Sequence, residues 1–202
     1  MEYSVQQYLY VIQQLYNLSG GGLYDEEGRE NKIGNWIEIN DDFSDWSQVN
    51  FKGMYKNGVK VGQWDIWSKD ANTELIQIGG GTYDEESKGL KVGNWTEITD
   101  GFKHITQVTY NGVYKNGIKV GKWEIWGRKD FEHQKIEMIG GGDYDENGLG
   151  VKKGKWIEIC DGFIYSENIA YIGIYENGKK IGIWVEVDVD TQEELNKINY
   201  DQ

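Results

Sequence analysis

The sequence of 202 residues has no proline and a single cysteine, Cys160. One cysteine excludes an internal disulfide and is typical of proteins from a reducing compartment. No apolar run approaches the roughly 20 residues that a membrane-spanning helix needs. The first residues lack the form of a signal peptide, because an acidic residue and several glutamines interrupt them. We therefore expect a cytoplasmic protein without membrane insertion.

The charge and the residue types present narrow the class of protein further. The formal net charge is −13, which repels nucleic acid phosphates and anionic lipids, so neither is expected as a partner. Aromatic residues make up 14% of the chain, which excludes a disordered protein. There are 28 glycines, whereas alanine and leucine, which favour helices, are scarce. This composition predicts an all-β fold.

An internal repeat organises most of the chain. The motif Gly-Gly-Gly-x-Tyr-Asp-Glu begins at Gly20, Gly79 and Gly140. Two Gly-x-Trp motifs follow it in each repeat, with the tryptophans at Trp36, Trp64, Trp95, Trp123, Trp156 and Trp184. The spacing predicts a repeat region over 20–187, divided into 20–78, 79–139 and 140–187, with two β-hairpins in each repeat.

Two terminal segments flank the repeat region. Apolar residues within 1–19 fit one face of a helix, so a short helix is expected there. In 188–202, Thr191 and Glu194 fit a capping box that would begin a second helix. The same segment also resembles 72–78, which would make it a degenerate repeat start, and both interpretations stay open.

The turns predict how the strands pair. Asn-Gly at Asn57, Asn116 and Asn177 favours two-residue type I′ hairpins. An uninterrupted ladder from these turns would place glycine opposite glycine and an aromatic residue opposite tryptophan: Phe51 with Trp64, Tyr110 with Trp123, and Tyr171 with Trp184. The other hairpin of each repeat would have a five-residue tip, with the first glycine of each triplet facing a tryptophan: Gly20 with Trp36, Gly79 with Trp95, and Gly140 with Trp156. The sequence thus predicts an elongated antiparallel β-meander of repeated hairpins.

The segment from Tyr110 to Trp123 resembles the membrane occupation and recognition nexus (MORN) repeat. Its Tyr-x-Gly-x-aromatic start and its later glycines at Gly117 and Gly121 follow the family pattern, and Trp123 replaces the final glycine. Gly-x-Trp endings are similar to those of variant MORN proteins in ciliates and of antitoxin-like relatives. The resemblance implies a β-hairpin scaffold that contacts proteins, with the cytoskeleton or cilium as candidate locations.

No pattern in the sequence indicates an enzyme, a cofactor or a metal centre. Asp143, Asp145 and Asn147 copy the start of a calcium loop, but glycine stands where the loop needs its final glutamate, so a solvated acidic turn is favoured over calcium binding. His104 and His133 have no partner at ligand spacing, and Cys160 lies at the entry to a turn. We expect a non-enzymatic protein with none of these groups at a catalytic site.

The candidate contact residues lie on the side of the hairpins opposite the repeated tryptophans. They are Trp67, Trp126, Ile172, Ile183 and Val185. The third repeat is apolar on this side, so either a terminal segment covers it, which the frequency of caps in repeat arrays favours, or another molecule does, including a second copy. The function expected is a scaffold or interaction protein that presents a rigid acidic β-surface. The alternative is a carbohydrate-binding module that uses exposed aromatic rings.

Overall fold

The computed structural model describes residues 20–44, 47–69, 74–100, 102, 107–128, 135–160 and 168–201. These residues form two compact units, within Met1–Leu90 and Lys91–Gln202. All regular elements in them are β-strands, and each described pairing is antiparallel between strands that are neighbours in the sequence. No helix that could cross a membrane occurs in the described part of the chain. The prediction of an all-β meander is confirmed.

Unit 1 contains the first five strands, which pair in sequence order. They are β1 (Gly21–Tyr24), β2 (Lys32–Ile39), β3 (Val49–Lys56), β4 (Val59–Lys69) and β5 (Leu75–Tyr83). Trp36, Tyr55 and Trp64 form its buried core, with Phe51 and Tyr83 packed against them.

Unit 2 contains eight strands, again paired in sequence order. They are β6 (Lys91–Ile98), β7 (Thr109–Lys115), β8 (Ile118–Arg128), β9 (Ile136–Tyr144), β10 (Lys152–Ile159), β11 (Ile169–Glu176), β12 (Lys179–Asp188) and β13 (Glu194–Asn199). A buried apolar cluster lies at one end of these strands and consists of Val108, Ile125, Ile139, Ala170 and Val189.

The predicted turns are present. Asn57, Asn116 and Asn177 and the glycines after them all have positive φ, as a type I′ turn requires. The other hairpins have five-residue tips, closed by backbone hydrogen bonds from Asp25 to Asn31, from Asp84 to Leu90 and from Asp145 to Val151. Turn chemistry therefore fixes the connections between strands.

The predicted ladder within the Asn-Gly hairpins is wrong beyond the first few pairs. Phe51, Tyr110 and Tyr171 lie opposite Ile66, Ile125 and Glu186, not opposite the tryptophans. A bulge shifts the register at Gly62, Gly121 and Gly182, which have φ of 62–63°. Glycine adopts this left-handed conformation at little cost, so the first residue of Gly-x-Trp is a bulge residue.

The first glycine of each triplet was predicted to face the next Gly-x-Trp tryptophan. This prediction is wrong for the two glycine–tryptophan pairs that lie within one unit. Trp36 lies against Gly22 instead of Gly20, and Trp156 lies against Gly142 instead of Gly140. Gly79 and Gly140 lie opposite Ile66 and Ile125. The bulge moves each tryptophan along the neighbouring strand, which an uninterrupted ladder cannot do.

The middle glycine of the second and third triplets approaches the backbone of the preceding strand. A Cβ atom on Gly80 would lie 2.3 Å from the carbonyl oxygen of Trp64, and one on Gly141 would lie 2.2 Å from that of Trp123. Both glycines have φ near 130°, which L side chains rarely adopt. A side chain therefore has no room at the middle position of these two triplets.

The C-terminal segment is a strand, so the prediction of a second helix is wrong. β13 pairs with β12 in the register that β5 keeps with β4, because Trp184 lies opposite Ile198 as Trp64 lies opposite Gly81. The interpretation as a degenerate repeat start is the one that the strand supports. The helix expected in 1–19, as well as His104 and His133, lie outside the described residues.

Candidate interaction surface

One side of the strands in each unit carries the Gly-x-Trp tryptophans, and we call it the first face. The tryptophans are 1–7% exposed. Their rings alternate with tyrosine rings in edge-to-face contact, at centroid distances of 5.1–6.1 Å. The order is Tyr24, Trp36, Tyr55, Trp64 and Tyr83 in unit 1, and Trp95, Tyr114, Trp123, Tyr144, Trp156, Tyr175, Trp184 and Tyr200 in unit 2.

Glycine makes this packing possible. A Cβ atom built on Gly53, Gly112 or Gly173 would lie 2.2 Å from the Cδ2 atom of Trp64, Trp123 or Trp184. Each indole therefore lies flat on the bare backbone of the strand before it. An aromatic ring laid across a strand glycine recovers buried apolar area that glycine itself cannot supply.

A charged cluster repeats three times on the first face. Glu38 accepts hydrogen bonds from Lys32 (2.6 Å), Lys60 (2.7 Å) and the Tyr55 hydroxyl (2.7 Å). Glu97 has the same contacts with Lys91, Lys119 and Tyr114, and Glu158 with Lys152, Lys180 and Tyr175. The two lysines of each cluster also lie over the neighbouring tryptophan rings, at 4.0–4.5 Å from the centroid.

These clusters keep the three glutamates ionised. Burial disfavours the charged form of Glu38, but the hydrogen bonds from Lys32, Lys60 and Tyr55 outweigh it and lower its pKa to about 2. The pKa values of Glu97 and Glu158 are lowered for the same reasons. Burial and the bond to Glu38 raise the pKa of Tyr55. The polar groups of the cluster are therefore satisfied by one another.

Sequence reasoning missed these clusters, although a signal for them exists. Glu38, Glu97 and Glu158 each stand two residues after a Gly-x-Trp tryptophan, and their lysine and tyrosine partners repeat with the same spacing. In the sequence, acidic residues were considered only at the hairpin tips, and the charged positions within the strands were not aligned. Aligning the charged positions of the repeats would have found the clusters.

The opposite side of the strands, which we call the second face, differs between repeats. In unit 1 it is mixed: Leu23 and Met54 are exposed there, and Asp65 accepts hydrogen bonds from Gln63 (2.9 Å) and Gln77 (3.0 Å). A groove of about 830 Å³ is lined there by Leu23, Asn35, Ile37, Lys52, Gln63, Asp65 and neighbouring glycines. Burial lowers the pKa of Lys52, and Asp65 opposes that shift.

Trp67 and Trp126 occupy equivalent positions on the second face of units 1 and 2. Both are half-buried. The Lys52 Nζ atom lies 5.0 Å from the centroid of the Trp67 ring, and the Trp126 Nε1–H donates to Glu124 at 3.1 Å. The Nε1–H of Trp67 is buried and has no acceptor among the described residues. Each ring thus offers only part of its surface to a partner.

The third repeat carries an apolar surface on the second face, which we call the isoleucine patch. Its members are Ile157, Ile172, Ile174, Ile181, Ile183 and Val185. Register places them side by side, because Ile172 lies opposite both Ile157 and Val185, and Ile174 lies opposite Ile181. Ile174 is 52% exposed and Ile183 is 61% exposed. The structure therefore brings together three predicted contact residues, Ile172, Ile183 and Val185.

The acidic residues at the hairpin tips close the turns. Asp145 accepts hydrogen bonds from the backbone N–H groups of Asn147 (3.1 Å), Leu149 (3.2 Å) and Val151 (3.0 Å). Asp143 lies on strand β9, opposite Lys122 and Lys153. No cluster of three or more His, Cys, Asp or Glu side chains suited to a metal occurs within the described ranges.

Cys160 is half-buried beside the apolar cluster of unit 2. Its backbone N–H donates to the carbonyl oxygen of Ile169, as the N–H of Asn40 donates to that of Val49. The residues that directly follow Cys160 lie outside the described ranges.

The comparisons with known proteins found no relative of this chain: no protein-family model matches the sequence, and no curated protein matches it. The likeness of Tyr110–Trp123 to a MORN repeat therefore stays a prediction.

Proposed function

We propose that this chain is a non-enzymatic interaction protein that contacts other proteins through its second face. The observation that carries the proposal is the difference between the two faces. The first face repeats the same tryptophans, tyrosines and charged clusters, and these groups contact one another. On the second face, equivalent positions carry different residue types in the three repeats, whereas the strands and turns that hold them are the same. Variable residues on a constant frame are typical of binding surfaces.

The substitutions between repeats show how the second face varies. The positions of Gln63 and Asp65 on β4 are taken by Lys122 and Glu124 on β8, and by Ile183 and Val185 on β12. The fold accepts an amide, a cation, a carboxylate or an aliphatic chain there. Requirements of the fold therefore do not determine which residues stand there, and this freedom supports the proposal of contact with a partner.

The scaffold role and the cytoplasmic location complete the proposal. A net charge of −13 gives the molecule an acidic surface that favours neutral or basic proteins over phosphate polymers. The resemblance of Tyr110–Trp123 to a MORN repeat also implies a scaffold that contacts proteins. Association with the cytoskeleton or a cilium is the finer form of this proposal.

Affinity capture with the full chain tests the proposed function. Bound proteins would be quantified by mass spectrometry for the wild type, a Trp67→Ala/Trp126→Ala variant and a Glu26→Ala/Glu146→Ala control at exposed hairpin tips. We expect partners that the wild type and the control retain and that the tryptophan variant loses. Enrichment that neither this variant nor substitutions in the isoleucine patch change would contradict contact through the second face.

The alternative of carbohydrate binding has less support. It needs a row of exposed aromatic rings, whereas the repeated tryptophans are 1–7% exposed and lie in the aromatic row of the first face. Of the predicted contact residues, only Trp67 and Trp126 could stack on a sugar. Binding to a glycan panel that disappears in the Trp67→Ala/Trp126→Ala variant would favour this alternative.

A further inference from the structure

The fold does not require the full isoleucine patch. Three of its positions are polar in repeats one and two: Lys52 and Asn111 hold the position of Ile172, Gln63 and Lys122 that of Ile183, and Asp65 and Glu124 that of Val185. Ile174 and Ile181 have apolar counterparts, Met54 with Val113 and Val61 with Val120. The same bulged hairpin thus forms twice with polar groups at three positions of the patch. Replacing them with aliphatic chains exposes apolar area to water, which is unfavourable unless something covers it.

The C-terminal strand does not cover the patch. β13 pairs along the edge of β12, with Lys197 opposite Val185 and Asn199 opposite Ile183. It extends the sheet sideways and leaves Ile174 and Ile183 more than half exposed in the described part of unit 2. The predicted cover by a terminal segment is therefore wrong for 188–202.

The charges around the patch are of both signs. On the second face, register and spacing place four lysines and three carboxylates at its rim: Lys153, Lys155, Lys179, Lys197, Asp143, Glu176 and Glu194. Lys197 pairs with Glu194 at 3.0 Å. Lys153, Lys155 and Lys179 form no ion pair with any residue that the structure describes. The rim is thus nearly neutral in a protein with a net charge of −13.

We propose that the isoleucine patch binds the same patch on a second copy of this chain, with the two sheet faces packed against each other. The proposal rests on the proposed function and names a partner for it. Two acidic copies repel each other over most surfaces, but least where lysines balance carboxylates. A two-fold axis lets the lysines of one rim meet the carboxylates of the other, because an isologous interface is self-complementary. A strongly acidic or strongly basic partner would instead meet like charges.

The packing geometry is the one that β-sheets use in sandwiches. Inner faces of two sheets lie about 10 Å apart, with aliphatic side chains interdigitated between them. The patch spans three adjacent strands, β10 to β12, and the outward side chains of Ile174 and Ile183 lie where such contact would bury them. The result is a dimer with aliphatic side chains at its centre and a charged rim.

Sedimentation velocity of the full chain over a concentration series tests the proposal. We expect a reversible monomer–dimer equilibrium. The Ile174→Gln/Ile183→Gln variant should weaken the dimer at least about tenfold, because each copy loses two aliphatic contacts. Gln63 already occupies the equivalent of position 183, so the fold accepts the amide there. The control is Met54→Gln, which changes the exposed counterpart of Ile174 in unit 1 and should leave the equilibrium unchanged.

A second measurement locates the interface without a substitution. Isoleucine δ1-methyl resonances of the wild type should shift on dilution for Ile174 and Ile183 and stay constant for Ile66 and Ile125, which are buried. A wild type that stays monomeric at all concentrations would overturn the proposal, and so would a dimer that the patch variant forms equally well. Neither result changes what the capture experiment with the Trp67→Ala/Trp126→Ala variant measures, which is the binding of other proteins. Failure of the dimer proposal and failure of the proposed function are therefore distinguishable.

Discussion

At the scale of single residues, three glycines of the first face are required by the tryptophan rings that lie on them. Gly112 has an ordinary φ, so its backbone would accept another residue, but the indole of Trp123 fills the space where a Cβ atom would lie. Gly53 and Gly173 meet Trp64 and Trp184 in the same way. Contact with the ring, and not backbone conformation, is what excludes side chains at these three positions.

Gly112→Ala should therefore destabilise unit 2 by about 3 kcal/mol, because an added methyl group forces Trp123 out of its packed position. Urea unfolding followed by tryptophan fluorescence measures the change. The control is Val113→Ala, which alters the next residue on the second face, where Val113 is 39% exposed. Equal stability of Gly112→Ala and the wild type would show that the tryptophan does not need bare backbone.

Glu38 links the stability of unit 1 to pH. Its pKa is about 2 in the folded protein against an ordinary value of 4.5. A lowered pKa in the folded state stabilises the fold above the unfolded value, and that contribution is lost as the pH falls through the folded value. The window of loss therefore runs from about pH 4.5 down to about pH 2.

Glu38→Gln should cost about 1–2 kcal/mol at pH 7, because Lys32 and Lys60 lose a charged acceptor. The difference from the wild type should shrink through the acid window, and urea unfolding at several pH values measures it. Glu26→Gln, at an exposed hairpin tip, serves as the control. A difference that is constant between pH 7 and pH 2 would contradict ionic stabilisation by Glu38.

At the scale of strands and hairpins, β13 closes the aromatic row of unit 2. Tyr200 contacts Trp184 edge-to-face at 6.1 Å, as Tyr83 contacts Trp64 and Tyr144 contacts Trp123. Ile198 stands where those strands have the third glycine of the triplet, so its side chain fills the space that a following tryptophan would need. Towards β12, the strand continues the repeat through the contact of Tyr200 with Trp184. At its other edge, Ile198 replaces the glycine on which a further tryptophan would lie, so the aromatic row ends there.

Tyr200→Ala should destabilise unit 2 by about 1–2 kcal/mol through the loss of the ring contact and exposure of Trp184, which is only 1% exposed in the wild type. Thermal unfolding and the emission wavelength of tryptophan report both effects. Asn199→Ala, one residue away on the other face, is the control. Unchanged emission in Tyr200→Ala would argue against cover of Trp184 by this ring.

The sequence was sufficient to predict the hairpins but not the details of their pairing. Asn-Gly turns have one favoured geometry, so Asn57, Asn116 and Asn177 identified their loops correctly. The bulge at Gly62 and its equivalents was missed, because glycine in Gly-x-Trp was assigned to a regular ladder. The charged clusters around Glu38 were missed as well, since their members come from three strands and meet only after the bulge has set the register.

At the scale of the whole molecule, the two faces have separate roles. The first face holds each unit together through tryptophan, glycine and the charged clusters. The second face adds buried residues such as Val61, Val120 and Ala170. Its exposed positions vary, and in the third repeat they form the isoleucine patch. The patch could be recognised from alternation along the strands, and three of its residues were predicted. The lysines at the rim of the patch were not predicted, because the net charge suggested a uniformly acidic surface.

The central claim is that the exposed residues of the isoleucine patch make contacts and do not maintain the fold. The most direct measurement is the melting temperature of Ile174→Gln/Ile183→Gln at a protein concentration low enough to keep both proteins monomeric. Two residues that serve only contact can be replaced at little cost, so we expect a melting temperature within about 2 °C of the wild type. A fall of about 5 °C or more would mean that the patch is packed within its own chain, and would contradict the claim.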